Sequence, residues 1–441
     1  MTMTMDNAAA NDSAAKKLMD KFTARKSAKF ISKYFHVRCC AHIVNLIVND
    51  GMEPLQPLIG NLRETVKYLK KSPSRMSNFL SDCKSLNIKV GKGLCLDVAT
   101  RWSSTYRMID ACTLYKEAFH EYAQSDPNYE WQPDDEDFVL YGRIQPILKS
   151  FAEVTTILSG STYPTTNIFY PYIMNVKIAI VEHAMSGDDN LKMMGEAMLD
   201  KFDKYWDSTV VPENKNRKDK KRVKNNVMVI ATILDPRFKM KLVDYCFKKM
   251  YGKEKGSSEM EDIKTEFFDL YATYEMENRQ HEAPNTNEQS SISSRQASTS
   301  MTTLSSGFQS FLEETNSGPC KSELTSYLED KTHPINDPNF TLLDWWRLNA
   351  HRYPIVAKMA KKFLTIPATS VSSESTFSTG GRVLDDYRSS LLPSMVEALV
   401  CASSFIKGSK ENHIRPTTIV EDDIDDDVEF IPFPESIVES N

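Results

Sequence analysis

LLDWWRLNAHRYPIVAKMAKKFLTIPATSVSSESTFSTGGRVLDDYRSSLLPSMVEALVCASSFI, residues 342–406, decides how this chain is read. Apolar residues recur at helical spacing on both sides of a Pro-led, Ser-rich turn, which predicts two or three amphipathic helices. Glu374 stands alone among small polar residues. One reading makes it a helix cap, because Ser370, Ser372 and Ser373 precede it and a carboxylate favours a helix amino terminus. The other reading makes it a functional carboxylate. Trp345, Trp346, Tyr353, Met359 and Phe363 suit a core or an interface, and so do Phe377, Leu392, Val396 and Leu399.

Outward from that stretch the chain reads as mostly helical. Residues 1–59 mix short apolar runs with Ala-rich helix: Asn11 to Lys33 reads as a polar helix and Tyr34 to Arg38 as a short strand. Helical patterns fill 60–277, with a Pro- and Asp-rich break at 126–137 and helix resuming at Phe138. Residues 278–320 are rich in Ser, Thr, Asn and Gln, too polar to bury a core, and read as a linker. Residues 321–408 form the segment with which this reading began. The remainder, 409–441, carries EDDIDDDVE at 421–429 and reads as an acidic disordered tail.

The 441 residues suffice for one large or two to three ordinary domains. A net charge of −6 makes a uniformly basic nucleic-acid-binding surface untenable, so any DNA contact must come from a local patch. The basic run at 215–224, with Lys218, Lys220, Lys221 and Arg222, is such a patch, a nuclear-import signal or a solvated loop. Eight scattered cysteines include no C-x-x-C pair, and with no secretory pattern at the start they point to a reducing compartment. No apolar run is long enough to span a membrane. Nothing in the sequence suggests a small-molecule substrate.

Four further motifs complete the pattern. DNAAAND occupies 6–12, YFHVRCCAHIVNLIVNDG occupies 34–51, LDVATRWSSTY occupies 96–106 and ILDPRFK occupies 233–239. By themselves they are modest. Asp6 near a terminus is ordinarily solvated; Cys39 and His42 are half a zinc site or a buried strand-to-helix junction. Trp102 is a core side chain or, beside Arg101, a stacking face for an unpaired base.

Taken in order, these motifs and residues 342–406 resemble the plant branch of the hAT transposase superfamily over nearly the whole chain. The resemblance implies a mainly α fold with a remnant α/β ribonuclease-H-like core. That core is split between 1–59 and about 340–408, is interrupted by a large helical insertion, and is joined to a carboxy-terminal dimerisation region. It makes Asp6 and Glu374 two of three carboxylates that hold Mg2+ in the ancestral enzyme. The third belongs to a strand before the DNAAAND segment, with which this chain opens, as does the family's BED zinc finger. The expectation is therefore a remnant with no intact metal site, no cofactor of its own and no strand cleavage. Resemblance assigns Arg38, Cys39, His42, Arg101 and Trp102 to DNA or the active-site wall. It assigns self-association, or pairing with related hAT proteins, to Trp345 through Leu399. The nucleus is the expected location, with weak or partner-dependent DNA binding; the alternatives are an active hAT transposase if the native chain is longer, or a dimerisation module that binds no DNA and pairs with full-length relatives.

Overall fold

The computed structural model describes residues 2–23, 31–88, 93–98, 101–160, 163–206, 226–282, 322–384 and 391–411. The basic run with Lys218, Lys220, Lys221 and Arg222 lies outside the described residues. So do most of the 278–320 linker and nearly all of the acidic tail.

The chain divides into two units. Unit 1 joins Met1–Met228 to Ile366–Asn441, and unit 2 is Val229–Thr365. The stretch 321–408 is thus shared between them.

Unit 1 contains the described strands. β1 (Met3–Met5) pairs in parallel with β2 (His36–Arg38), in the register Met3↔His36, Thr4↔Val37 and Met5↔Arg38. Between them run α1 (Ala9–Thr23) and a single turn, α2 (Ile31–Tyr34). The strand expected from Tyr34 begins two residues later, because Tyr34 closes α2 and β1 offers only three residues to pair with.

α3 (Cys40–Met52) follows β2 at once, and its apolar run CAHIVNLIV buries Ile43, Val44, Ile47 and Val48. It packs on α8 (Asp135–Leu158) and on α10 (Asp189–Trp206), which also packs along α9 (Thr166–Ala184). α8 starts at Asp135, inside the break expected at 126–137. A reciprocal cap drives this: Asp134 accepts from the Asp137 N–H while Asp137 accepts from the Asp134 N–H. Two side chains at the end of the break thereby satisfy the Asp134 N–H and one of the helix's first free donors.

α4 (Gln56–Lys70), α5 (Pro73–Ser85), α6 (Trp102–Thr113) and α7 (Lys116–Ser125) complete this bundle. Phe79 stacks on Phe119 at 5.0 Å and meets Tyr115 and Tyr122 edge-on, so aromatic area dominates its core. An ion pair from buried Lys177 Nζ to half-buried Asp203 at 2.9 Å links α9 to α10.

The boundary to unit 2 falls within α11 (Val227–Ile233). Unit 2 continues with α12 (Lys239–Tyr251), α13 (Lys253–Glu282), α14 (Glu323–Glu329), α15 (Leu342–Asn349) and α16 (Pro354–Phe363). The ILDPRFK corner organises it. The Tyr327 hydroxyl donates to the Ile233 carbonyl at 2.9 Å, and Trp346 Nε1 donates to the Leu234 carbonyl at 3.0 Å. Glu323 reaches from α14 to accept the Ile355 and Val356 N–H groups at the start of α16. No helix among the described residues is long and apolar enough to cross a membrane.

Candidate functional site

β1 and β2 run in parallel, so their carboxyl ends open on the same side, where open α/β sheets place ligands. Asp6 is the first residue beyond β1. Its Oδ1 accepts from the Ala8 N–H at 2.9 Å and from Asn11 Nδ2 at 2.6 Å. The Ala8 bond above all holds the carboxyl below its ordinary range; Asn11 and the charge of His42 act the same way, against partial desolvation.

The segment 366–370 is threaded into this end of unit 1. Thr166 donates its hydroxyl to the Ile366 carbonyl, and Thr4 donates to Pro367 O at 2.8 Å. The Cys40 N–H donates to Ala368 O at 2.9 Å, and Thr369 donates to Leu158 O at 3.5 Å. Finally the Ser370 N–H donates to Cys39 Sγ at 3.3 Å. Cys39 in turn donates its N–H to Met5 O at 2.7 Å. One buried cysteine therefore ties the end of β1 to the start of α17 (Val371–Val383).

Glu374 lies in the first turn of α17, with its N–H on the Ser370 carbonyl and its Oε1 accepting from the Ser370 hydroxyl at 2.6 Å. Two carboxylates from opposite ends of the sequence are thus carried on elements joined through Cys39. Glu374 also sits where a negative charge favours the helix amino terminus, but its carboxylate accepts from the Ser370 hydroxyl and α17 shows no side-chain cap on a backbone N–H.

Two-metal phosphoryl chemistry asks for carboxylates or imidazoles converging in number. Among the described residues no group of three His, Cys, Asp or Glu side chains converges so as to hold a metal ion. Asp6 and Glu374 each already spend an oxygen on protein donors. The described residues do not fit a two-metal Mg2+ site.

The remaining expected site residues are placed as follows. Arg38 is engaged: Nη1 donates to Asn7 Oδ1 at 3.2 Å and Nη2 meets both Asp12 oxygens, at 2.8 and 3.0 Å. His36, 3.8 Å from the same carboxylate, is held below its ordinary range by burial and then by Arg38, with Asp12 opposing. Cys39 is buried at the strand-to-helix junction, and His42 is half-buried on α3.

Arg101 is exposed at the start of α6, while Trp102 is buried and meets Phe151 edge-on at 6.2 Å. The surrounding LDVATRWSSTY motif is a lock. Arg63 pairs with buried Asp97 through two 2.7 Å bonds, and Thr105 donates to the same carboxylate. Stacking on a base would require Trp102 to leave this core.

The residues assigned to self-association fall in two sets. Trp346, Tyr353, Met359 and Phe363 are buried within unit 2, and Trp345 is half-buried against Tyr353. Phe377 on α17 (81% exposed), Leu392 just before α18 (Pro393–Glu411; 69%) and Leu399 on α18 (45%) are exposed, and Val396 is half-buried. Sequence reading missed the network of Asn7, Asn11, Asp12 and Thr4. Its signal is the spacing of DNAAAND, where polar side chains bracket three alanines.

Comparison with known families places three matches on the chain. The hAT family carboxy-terminal dimerisation region matches residues 323–406. The ZBED1 RNase-like helical domain matches 37–144, and the hAT-like transposase RNase-H fold matches 167–274. The described residues of that last range are helical; the described strand pair lies outside it.

Among curated proteins, zinc finger BED domain-containing protein RICESLEEPER 2 of Oryza sativa subsp. japonica is 34% identical over 95% of this chain and 57% of its own length. The putative AC transposase of Zea mays is 30% identical over 95% of this chain and 50% of its own length. DAYSLEEPER of Arabidopsis thaliana is 29% identical over 73% of the chain and 42% of its own length. The chain spans about half the length of the curated relatives it matches.

Proposed function

The chain belongs to the hAT family of transposases and transposase-derived proteins, and from that premise we propose that it is a self-associating nuclear DNA-binding protein that does not cut DNA. The observation that carries the self-association is the set of large apolar side chains exposed on and beside α17 and α18. Phe377, Leu392, Met395, Leu399, Phe405 and Ile406 are exposed there, within the range matched by the dimerisation region. Soluble monomers rarely expose contiguous apolar patches of several hundred Å2. The partner is a second copy or a related hAT protein.

DNA binding is assigned to the end of unit 1 bearing Asp6 and Glu374, assisted by the basic run at 215–224, which also suits nuclear import. The poor fit of the two carboxylates to a two-metal site supports the reading that it does not cut.

Sedimentation equilibrium tests the first part. The parent chain is expected to dimerise, and a Phe377→Asp, Leu399→Asp variant to sediment as a folded monomer; an unchanged variant overturns the assignment. Incubation of supercoiled plasmid with Mg2+ or Mn2+ tests the second. No nicking is expected. Nicking that disappears in Glu374→Ala would favour the second reading, an active transposase, to which the likeness to the maize putative AC transposase points.

A further inference from the structure

Arg38 is the cation that sequence reading gives to DNA at the candidate site. Its surroundings give it a different task. It ends β2, in register with Met5, which ends β1. From there its guanidinium crosses to Asn7, the residue after Asp6, and to Asp12 in the first turn of α1. Asp6 is itself folded back onto Ala8 and Asn11. The junction of β1 with the first turn of α1, residues 6–12, is therefore pinned from inside by Asp6 and from the neighbouring strand by Arg38.

Nη2 meets the Asp12 carboxylate while Nη1 reaches Asn7 Oδ1, so the guanidinium fork spans two residues at once, which the single ammonium of lysine does not reproduce. A phosphate approaching Arg38 would have to compete with the Asp12 carboxylate already held at 2.8 Å.

We propose that Arg38 is a positioning residue: it fixes the shape of the β1–α1 junction, residues 6–12, that unit 1 presents to DNA and makes no phosphate contact of its own. The affinity part of this proposal rests on the DNA-binding function proposed above; the junction-fixing part does not.

The two roles predict opposite signs for one variant. If Arg38 contacted phosphate, Asp12→Asn would free the cation and tighten binding. If Arg38 clamps the junction, Asp12→Asn loosens the junction and weakens binding.

The experiment uses the full chain and a short DNA duplex of fixed sequence, titrated across a salt series. The expected result is several-fold weaker binding in Arg38→Met, Arg38→Lys and Asp12→Asn, with the slope of log K against log salt unchanged. A slope smaller by about 0.9 in Arg38→Met, the loss of one phosphate contact, would overturn the proposal. So would wild-type affinity in Arg38→Lys, or tighter binding in Asp12→Asn.

Hydrogen exchange provides the second readout. Amides of residues 8–12 are expected to exchange faster in all three variants, and unchanged exchange sinks the clamp. If the parent chain binds no DNA, the proposed function fails, and exchange alone decides the clamp. If Arg38→Met does not fold, Asp12→Asn, which keeps a helix-compatible residue, carries both readouts.

Discussion

Lys239 shows how much one residue of a motif can hold. It is 1% exposed and sits at φ +49°, in the left-handed region that a side chain seldom adopts. Its Nζ donates to the carbonyls of Tyr327 at 2.6 Å and Asp330 at 2.8 Å, and lies 4.8 Å from the centre of the Tyr327 ring. The carbonyls at the end of α14 thus find their donor in a lysine from the ILDPRFK corner. Burial lowers its pKa from the ordinary 10.5 to about 8. The folded chain therefore holds this proton less tightly than the unfolded chain does. Burying the ammonium costs stability below pH about 8, and that cost is relieved as pH rises towards 10.5. The neutral amine can still donate to both carbonyls. Lys239→Met should thus destabilise unit 2 by about 1–3 kcal/mol at neutral pH, the cost of stranding buried acceptors. Its deficit relative to the parent should widen between pH 8 and 10, read from urea midpoints followed by Trp345 and Trp346 fluorescence. A gap that narrows over that range would contradict this assignment.

At the scale of elements, α9 and α10 approach so closely that the position of a glycine decides the contact. A Cβ on Gly195 would sit 2.3 Å from the Ala184 backbone nitrogen and 2.7 Å from the His183 carbonyl carbon. Backbone cannot swing aside as a side chain can. Gly195→Ala should therefore cost about 1–3 kcal/mol despite alanine's better helix propensity. Gly142 in α8 has nothing within 4 Å of its would-be Cβ, so Gly142→Ala should stabilise by up to about 1 kcal/mol. Thermal unfolding of the two variants should move in opposite directions. Nothing in the sequence distinguishes these glycines, because each lies in a helical pattern; only the helix packed opposite does so. The helices themselves were legible, since apolar spacing follows burial along α3, α4 and α16. The α8 start was misplaced because Pro133 and the acidic run look like loop, whereas Asp134 and Asp137 cap each other. The candidate site was legible as motifs and not as contacts. Arg38 reads as a cation for DNA and Trp102 as either a core side chain or a stacking face, and the structure holds the first in an ion pair and the second in the core. That information lies in Asp12 and Phe151, far away in sequence.

At the scale of the whole molecule, sequence continuity and spatial grouping part company at Thr365. WWRLNAHRYPIVAKMAKKFL belongs to unit 2, yet the residues that follow it directly return to unit 1. Their return is fastened by hydrogen bonds from Thr4, Cys40 and Thr166 to the carbonyls of 366–368, and by the Ser370 N–H on Cys39. Ile366, Ala368 and Thr369 are buried there. Such long-range pairing gives no local signal, which is why residues 321–408 read as one piece. It also makes a directional claim about folding. A chain ending at Thr365 keeps every residue of unit 2, but leaves the Cys40 N–H and the hydroxyls of Thr4 and Thr166 without these acceptors. The Cys40 N–H and the Thr166 hydroxyl are buried, and each costs about 1–3 kcal/mol when unmet, whereas the Thr4 hydroxyl, in a bond open to solvent, can turn to water; the apolar surface under Ile366 and Ala368 is exposed as well. Hydrogen-exchange mass spectrometry on that shortened chain should show faster exchange through β2 and α3, residues 36–52. Peptides covering α14 to α16, residues 323–363, should exchange as in the parent. Equal loosening of both units would mean that they fold as one cooperative body, and unchanged exchange in β2 and α3 would mean that the returning segment is an attachment the core does not need.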